Sequence, residues 1–334
     1  MIVEGDAGVE RAAEVLRAGG LVAFPTETVY GLGADASNPA AVARVFEAKG
    51  RPPDHPLIVH LSDAALLGRW AVEIPDAARH LAHAFWPGPL TILLRRAPDV
   101  PDEVTGGRDT VGLRVPDHPV ALQLLRAVGT GVAAPSANRF GRVSPTRADD
   151  VVDELGGEVD LVLDGGPCRV GVESTIVDLS GEEPVVLRPG GIGLERLTSV
   201  LGRQPGRPSG PAPERAARAP GMLAAHYAPR AQVVVVEPSA AAETAHALVA
   251  RDEGRVVLVA PTVTAGLAPD VVELEPAGTP DEYARVLYAR LRQADRLGAR
   301  WLVCVLPEPD GVGAAVRDRL ERAATAGAPP VSGT

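Results

Sequence analysis

Lysine is almost absent from this chain: of 33 basic side chains in 334 residues, 32 are arginine and one, Lys49, is lysine. Aromatic residues make up 3%, too few for a platform on which successive bases of a single strand stack. The two cysteines, Cys168 and Cys304, are far apart, outside any CxxC spacing and away from spaced histidines. That argues against a disulfide framework and a zinc site, and fits a reducing cytoplasm. No apolar run approaches the roughly 20 residues of a membrane span. The N-terminal MIVEGDAGVERAAEV lacks the basic-then-apolar profile of a secretion signal. A basic excess is missing too: 43 acidic residues leave a net charge of −10, unlike a protein that coats nucleic acid. A local basic pocket stays compatible with that balance.

What is present is ordinary for a globular chain: 46% hydrophobic and 23% charged residues. The length suggests two domains. With 36 glycines and 32 prolines, many turns and a linker are expected. Helical spacing over 9–18 ends at Gly19-Gly20, and Leu21 to Phe24 reads as a strand stopped by Pro25. Asn38 is placed to cap a helix running to Ala48, with Gly50 ending it. Strands are expected at 57–61, 91–95, 111–115, 132–134, 161–163, 175–179 and 185–187, and helices up to Phe85, over 119–128 and from Thr146 with Asp149. Strands clustered without a helix between each pair predict a mixed α/β sheet. The Pro/Gly/Arg-rich stretch 202–230 reads as a linker. Beyond it, strand–helix alternation over 231–326 predicts a small three-layer parallel-sheet domain, followed by a disordered tail, 327–334.

Six polar clusters could carry chemistry. Pro25-Thr26-Glu27-Thr28-Val29-Tyr30-Gly31-Leu32-Gly33 follows a buried-type strand; it is either a plain strand-to-helix turn or a loop offering hydroxyls and close backbone approach. Lys49-Gly50-Arg51 ends a helix ahead of the Pro-stiffened run to His60. It is either a complement to the helix dipole or a phosphate clamp, and the solitary ammonium favours the clamp. Arg114 lies in an apolar strand and needs an anion if it points inward. Pro135-Ser136-Ala137-Asn138-Arg139 with Ser144 suits phosphates and ribose, while no GxSxG frames Ser136 as a nucleophile. Gly171-Val172-Glu173-Ser174-Thr175 and Leu187-Arg188-Pro189-Gly190-Gly191 complete the set.

In this order and spacing the six clusters resemble the YrdC-like threonylcarbamoyl-AMP synthase family over residues 10–200. The PGMLAAHYAP segment at 220–229 and the alternating C-terminal domain are similar to its two-domain members. The resemblance implies domains at 1–201 and 231–326, the first a twisted open sheet around a basic cavity, the second Rossmann-like. It also implies a cytoplasmic nucleotidyltransferase that joins L-threonine, bicarbonate or CO2, and ATP into threonylcarbamoyl-AMP for threonylcarbamoyladenosine modification of tRNA.

By the same resemblance, Thr28, His60, Arg114, Ser174 and the backbone at Ala134 line the threonine subsite. Lys49, Arg51, Thr110, Ser136, Asn138, Ser144 and Arg188 hold ATP, and Tyr227, or His226 beside it, covers the nucleotide. Lys49 and Arg51 carry the catalytic burden, Mg2+ rides on the triphosphate, and no residue is a metal ligand. His55 stands where the family usually has Asn, which leaves that ATP contact open. A downstream tRNA threonylcarbamoyl-transferase is the expected partner. The hydrogenase-maturation carbamoyltransferases share such a module but add an acylphosphatase domain and Cys-rich zinc fingers, which two cysteines cannot supply. A non-catalytic RNA-binding module is the alternative of a different class.

Overall fold

Cross-strand partners in a sheet point to the same side, so register decides which residues share a face. The computed structural model describes residues 1–208, 219–221 and 226–327. Clustering of contacts divides the chain into Met1–Phe140 with Ser144–Leu223, and Gly141–Val143 with Ala224–Thr334.

The first unit holds ten strands: β1 (Ile2–Val3), β2 (Val22–Phe24), β3 (Gly31–Asp35), β4 (Ile58–His60), β5 (Leu90–Arg95), β6 (Thr110–Arg114), β7 (Val132–Ala133), β8 (Leu161–Leu163), β9 (Thr175–Asp178) and β10 (Val185–Arg188). They form one sheet in the order β1-β8-β2-β3-β7-β4-β6-β5-β9-β10. β4 and β6 are parallel, as are β5 and β9, while β5 and β6, β4 and β7, and β9 and β10 are antiparallel. The mixed sheet expected from the strand spacing is the one observed.

On one face, Val59, Leu113, Ile92, Val177 and Ala133 are mutual partners. All join the main apolar core with residues of the helices Pro39–Lys49 and Asp76–Phe85. On the other face, the β8-β2-β3-β7 half packs on the helices Gly5–Arg17 and Pro119–Val128 through Leu16, Val22, Phe24, Leu124 and Val132. The β4-β6-β5-β9-β10 half of that second face carries Thr110, Gly112 and Arg114 with their register partners, and here the polar residues gather.

Local signals place the flanking groups. Asn38 accepts from the Ala41 amide at 3.2 Å, Pro39 opens the helix, and Gly50 at φ +62° ends it, which sets Lys49 in its last turn. Two local expectations are corrected. The cluster 25–33 is a hairpin whose second arm is β3, antiparallel to β2 with Phe24 opposite Gly31 and Val22 opposite Gly33. A side chain at Gly33 would put its Cβ 2.8 Å from Val132 and 2.9 Å from Phe24, so the strand uses glycine for close approach and its pattern is hidden. The helix expected from Thr146 begins at Ala148. Its N-cap is Arg147 rather than Thr146, and the carboxylate that reaches back is that of Asp150 rather than Asp149, accepting from the Thr146 and Arg147 amides at 3.1 and 3.2 Å.

The second unit is an all-parallel sheet of β11 (Gln232–Val236), β12 (Val256–Val259), β13 (Val271–Glu273) and β14 (Trp301–Val305), ordered β11-β14-β12-β13. Val256, Leu258, Trp301, Val303 and Val305 pack on Ala241, Ala245 and Leu248 of the helix Ala241–Val249. The alternate residues Val257, Val259, Leu302 and Cys304 are buried as well. From the helix Pro280–Arg296, the Tyr283 hydroxyl lies 3.0 and 3.3 Å from the Val305 and Val259 carbonyls. Both faces are covered, as a three-layer domain requires. β13 escaped the pattern because only Val271 of its three residues is buried.

Residues 141–143 join this unit. The Ala228 amide donates to Gly141 O at 2.9 Å, and Arg292 Nη2 donates to Val143 O. The stretch read as a linker is divided between the units: Gly206 bridges to Val185 in the first, and Ala228 to Arg142 in the second. The last helix runs over Gly313–Gly327, so Gly327, expected to open the tail 327–334, belongs to the helix, and 328–334 lie outside the described residues.

Candidate active site

Register builds the site. His60 faces Arg114 and Ile58 faces Gly112 across β4 and β6; Leu93 and Arg95 of β5 face Gly112 and Thr110; Thr91 pairs with Ile176 of β9, and Ile176 with Arg188 of β10. Thus Thr110, His60, Arg114 and Arg188, picked out by motif alone, share one face. Ser174 immediately precedes β9 on the same side of the cleft, where it meets Thr91 and Arg188.

Arg114 points inward and finds a protein anion. Its Nη2 lies 2.7 Å from Glu27 Oε2 and donates to Thr28 Oγ1 at 3.0 Å, while Nε donates to Gly88 O at 3.3 Å. Both members of the ion pair are buried. The Thr26 hydroxyl reaches Val29 O at 2.6 Å and Thr28 Oγ1 at 2.8 Å. With its one proton on the carbonyl, Thr26 accepts from Thr28, whose remaining lone pair serves Arg114.

His60 is buried, its ring edge-on to Phe24 at 5.7 Å, and burial together with the Arg114 charge pushes its pKa down to about 3. It is a neutral imidazole at pH 7. A pKa depressed by folding means that the unfolded chain takes up a proton first, so this contribution to stability is complete above pH 6.5 and is lost as pH falls toward 3. Replacing His60 with Asn is expected to remove up to about 1.4 kcal/mol of stability loss per pH unit in that window. Denaturant titrations at pH 4.5 and 7 read this directly; equal pH dependence in both proteins would refute it.

Ser174 ties the next group together. Its hydroxyl is 2.8 Å from Thr91 Oγ1, and Arg188 Nη2 donates to Ser174 Oγ at 3.1 Å and to Ser174 O at 3.0 Å. Arg188 Nη1 donates to Pro220 O at 3.0 Å. The position of Ser174 depends on Gly190, where a Cβ would lie 2.2 Å from Thr175 N and 2.3 Å from Ser174 C. The backbones approach too closely there for any side chain.

Lys49 is buried, and its Nζ donates to Ser136 O at 2.5 Å and to Asn138 O. Burial, then the neighbouring Arg51 charge, hold its pKa well below the usual lysine value, against the pull of Glu154. Ser136 in turn bridges to Gly31, and the Asn138 side-chain amide donates to Arg139 O at 2.7 Å. Arg51 Nη2 donates to Pro56 O at 2.9 Å, and His55 is buried with its ring tilted on Phe140 at 5.5 Å. Ser144 donates to Glu173 Oε1 at 2.7 Å. The Ala134 amide is bound to Ile58 O at 2.9 Å.

A cleft lined by Pro56, Ile58, Thr91, Gly112, Ile176 and Pro220 runs along this face. Of the lining residues, Pro56 gives its carbonyl to Arg51 and Pro220 gives its carbonyl to Arg188. Tyr227 and His226 belong to the second unit, where Tyr227 stacks on Tyr288 at 5.8 Å beneath the Arg319 guanidinium at 5.0 Å.

Motif reading missed Thr91, and it held Glu27, Glu173 and Gly190 within its clusters without giving them a role. A hydroxyl inside the apolar run Leu90–Arg95 was the available signal for Thr91. Glu27 sat in view between two threonines, but only the folded turn between β2 and β3 brings its carboxylate to Arg114. Both cysteines are free and buried, and burial raises both thiol pKa values. No helix among the described residues is long and apolar enough to cross a membrane.

The fold and site together define an α/β protein whose mixed sheet gathers buried cations and hydroxyls on one half of one face. The family model described as "Telomere recombination" matches residues 14–190, and that described as "Threonylcarbamoyl-AMP synthase, C-terminal domain" matches residues 192–325. A threonylcarbamoyl-AMP synthase of Pyrococcus abyssi is 45% identical over 319 residues, covering 93% of this chain and 92% of its own. One of Bacillus subtilis is 40% identical over 324 residues, covering 96% and 93%. The crystal structure of P. abyssi Sua5 complexed with L-threonine superposes with a TM-score of 0.90 at 41% identity, over 98% of each chain. The chain belongs to the threonylcarbamoyl-AMP synthase family.

Proposed function

We infer that this protein is an L-threonylcarbamoyladenylate synthase, which condenses L-threonine, bicarbonate or CO2, and ATP into threonylcarbamoyl-AMP and diphosphate. The observation that carries the reading is the register placing His60, Thr110, Arg114 and Arg188 on one half-face of the sheet, with Ser174 beside them. The relatives bear the name of this activity, and a related structure holds L-threonine.

The chemistry needs no enzyme nucleophile. Threonine's amine adds to CO2 and loses a proton, and the resulting N-carboxylate attacks the α-phosphorus of ATP as diphosphate leaves. Two anions must therefore meet, and charge must be neutralised on the departing oxygens. Arg114, held by Thr28, receives the threonine carboxylate, with His60 as a neutral neighbour and Ser174 and the Ala134 backbone completing that subsite. Lys49, Arg51 and Arg188 face the triphosphate, with Thr110, Ser136, Asn138 and Ser144 as hydroxyl and amide partners. His55, its ring tilted on Phe140, stands where the family usually has an amide and offers a ring nitrogen in its place. Tyr227 as a cover for the nucleotide rests on the family resemblance alone.

The groups assigned to the phosphates are cationic, hydroxyl or amide, a set that fits phosphate oxygens and not a divalent cation. Mg2+ therefore enters with ATP as part of the substrate, and no side chain is given to it. The product is a labile mixed anhydride, so a tRNA threonylcarbamoyl-transferase must consume it nearby, in the cytoplasm. Diphosphate release that requires both threonine and bicarbonate is the expected assay result. Release without threonine, or none at all, would contradict the assignment.

A further inference from the structure

Tyr288, Arg292 and Asp295 stand four and three positions apart in the helix Pro280–Arg296, so they lie on one side of it. Tyr288 stacks on Tyr227, and Asp295 accepts from the Arg230 and Ala231 amides at 2.8 and 3.0 Å. The buried Arg292 donates from Nη2 to Val143 O. Val143 ends a strip, Gly141–Val143, that belongs to the second unit, although Phe140 before it and Ser144 after it belong to the first. The strip is tied within the second unit by the Ala228 amide on Gly141 O at 2.9 Å, by Arg142 Nη2 3.8 Å from Asp295 Oδ2, and by Arg292. The Arg142 pair is long and partly exposed, so it contributes little. The bond from Arg292 has a charged donor and is out of water, which makes it the strongest of the three.

The residues on either side of this strip are those assigned to ATP. Lys49 Nζ holds the Ser136 and Asn138 carbonyls, and the Phe140 amide donates to Lys49 O at 2.9 Å. Lys49 therefore fixes the first half of the segment 136–144, and Arg292 meets its second half. Between the halves Gly141 stands at φ +79° with open space where a Cβ would lie, so the chain there is restrained by its ties and not by packing of a side chain. The link from Arg292 to Ser144 is covalent. The carbonyl of Val143 lies in the same planar peptide unit as the amide and Cα of Ser144. A donor that fixes that oxygen fixes the orientation of the plane, and with it the direction in which the Ser144 side chain leaves the backbone.

We propose that Arg292 is a positioning residue for ATP: by holding the Val143–Ser144 peptide plane it lets the second unit set the affinity of the site for the nucleotide. This rests on the functional reading given above, in which Ser144 faces ATP. Arg292 touches no substrate and acts through Ser144. The threonine subsite is held by other bonds, those of Arg114 to Glu27, Thr28 and Gly88 and of Ser174 to Thr91 and Arg188. Ser144 also donates to Glu173 Oε1 at 2.7 Å, next to Ser174, so threonine affinity is the control read beside that for ATP.

The test is steady-state diphosphate release by the full chain, with ATP varied at saturating threonine and bicarbonate, and calorimetry of threonine binding. Arg292→Met keeps the apolar stem and loses the donor. Its KM for ATP rises about tenfold or more, while kcat and the threonine Kd stay within about threefold of the wild type. Arg292→Lys still offers the carbonyl a cationic donor, on a different stem, and its KM for ATP rises only about threefold. Tyr283→Phe removes the hydroxyl that ties the same helix to Val305 O and Val259 O and leaves Val143 alone. It loosens the helix without touching the strip, and its KM for ATP stays within about twofold of the wild type. An unchanged KM for ATP in Arg292→Met overturns the proposal. So does an equal rise in Tyr283→Phe, or a threonine affinity that falls by the same factor as that for ATP, since either marks a general structural role. Should Arg292→Met not fold, a wild-type KM in Arg292→Lys overturns it. A wild type that releases no diphosphate overturns the functional reading itself, and that absence tells it apart from the other outcomes.

Discussion

Lys49→Arg is expected to lose about a hundredfold or more in turnover, although the charge is kept. The ammonium is buried and has carbonyls of Ser136 and Asn138 as partners, both on the loop assigned to the nucleotide. A planar guanidinium is longer and cannot direct compact donors at two converging carbonyl oxygens from the same place. It would push the loop or swing toward Arg51, already close enough to lower the Lys49 pKa. In a chain that otherwise uses arginine for every basic position, this site is where the difference between the two cations matters. Steady-state diphosphate release measures it, and turnover near that of the wild type would show that the solitary lysine is an accident of composition.

Arg114→Ala is expected to cost about 3–5 kcal/mol of stability, because it leaves Glu27 buried without its cation. It should also abolish threonine-dependent diphosphate release, since the substrate carboxylate loses its partner. The two effects separate in the double variant Arg114→Ala/Glu27→Leu, in which stability recovers and activity does not. Denaturant unfolding of the four proteins of this cycle reads the coupling. A single variant as stable as the wild type, or equal stability losses in single and double variants, would contradict the buried-pair account.

These two sites show how unevenly sequence reports structure here. Asn38, Pro39 and Gly50 announce the helix that ends in Lys49, because caps act over a few residues and leave a local mark. The alternation of β11, β12 and β14 with helices was equally plain. β3 was hidden because two of its five residues are glycines, and Gly33 is demanded by Phe24 and Val132, which lie elsewhere in the chain. The cap of the helix Ala148–Leu155 was misplaced by one residue, because Asp149 and Asp150 are adjacent and only the bonds to Thr146 and Arg147 tell them apart.

The residues facing the cleft were legible as motifs, but their company was not. Arg114 needed an anion if it pointed inward, and Glu27 lies 87 positions earlier, in the turn between β2 and β3, and reaches it only in the folded chain. Thr91 and Gly190 belong to the same class: each matters through its contact with Ser174, which lies elsewhere in the chain.

The central claim is tested most directly by mass spectrometry of the product formed from ATP, L-threonine and 13C-labelled bicarbonate. An adenylate of threonylcarbamate carrying the label is the predicted result, formed by the wild type and lost in Lys49→Arg and Arg114→Ala. An unlabelled adenylate, or ATP consumed with no threonine-containing product, would contradict it.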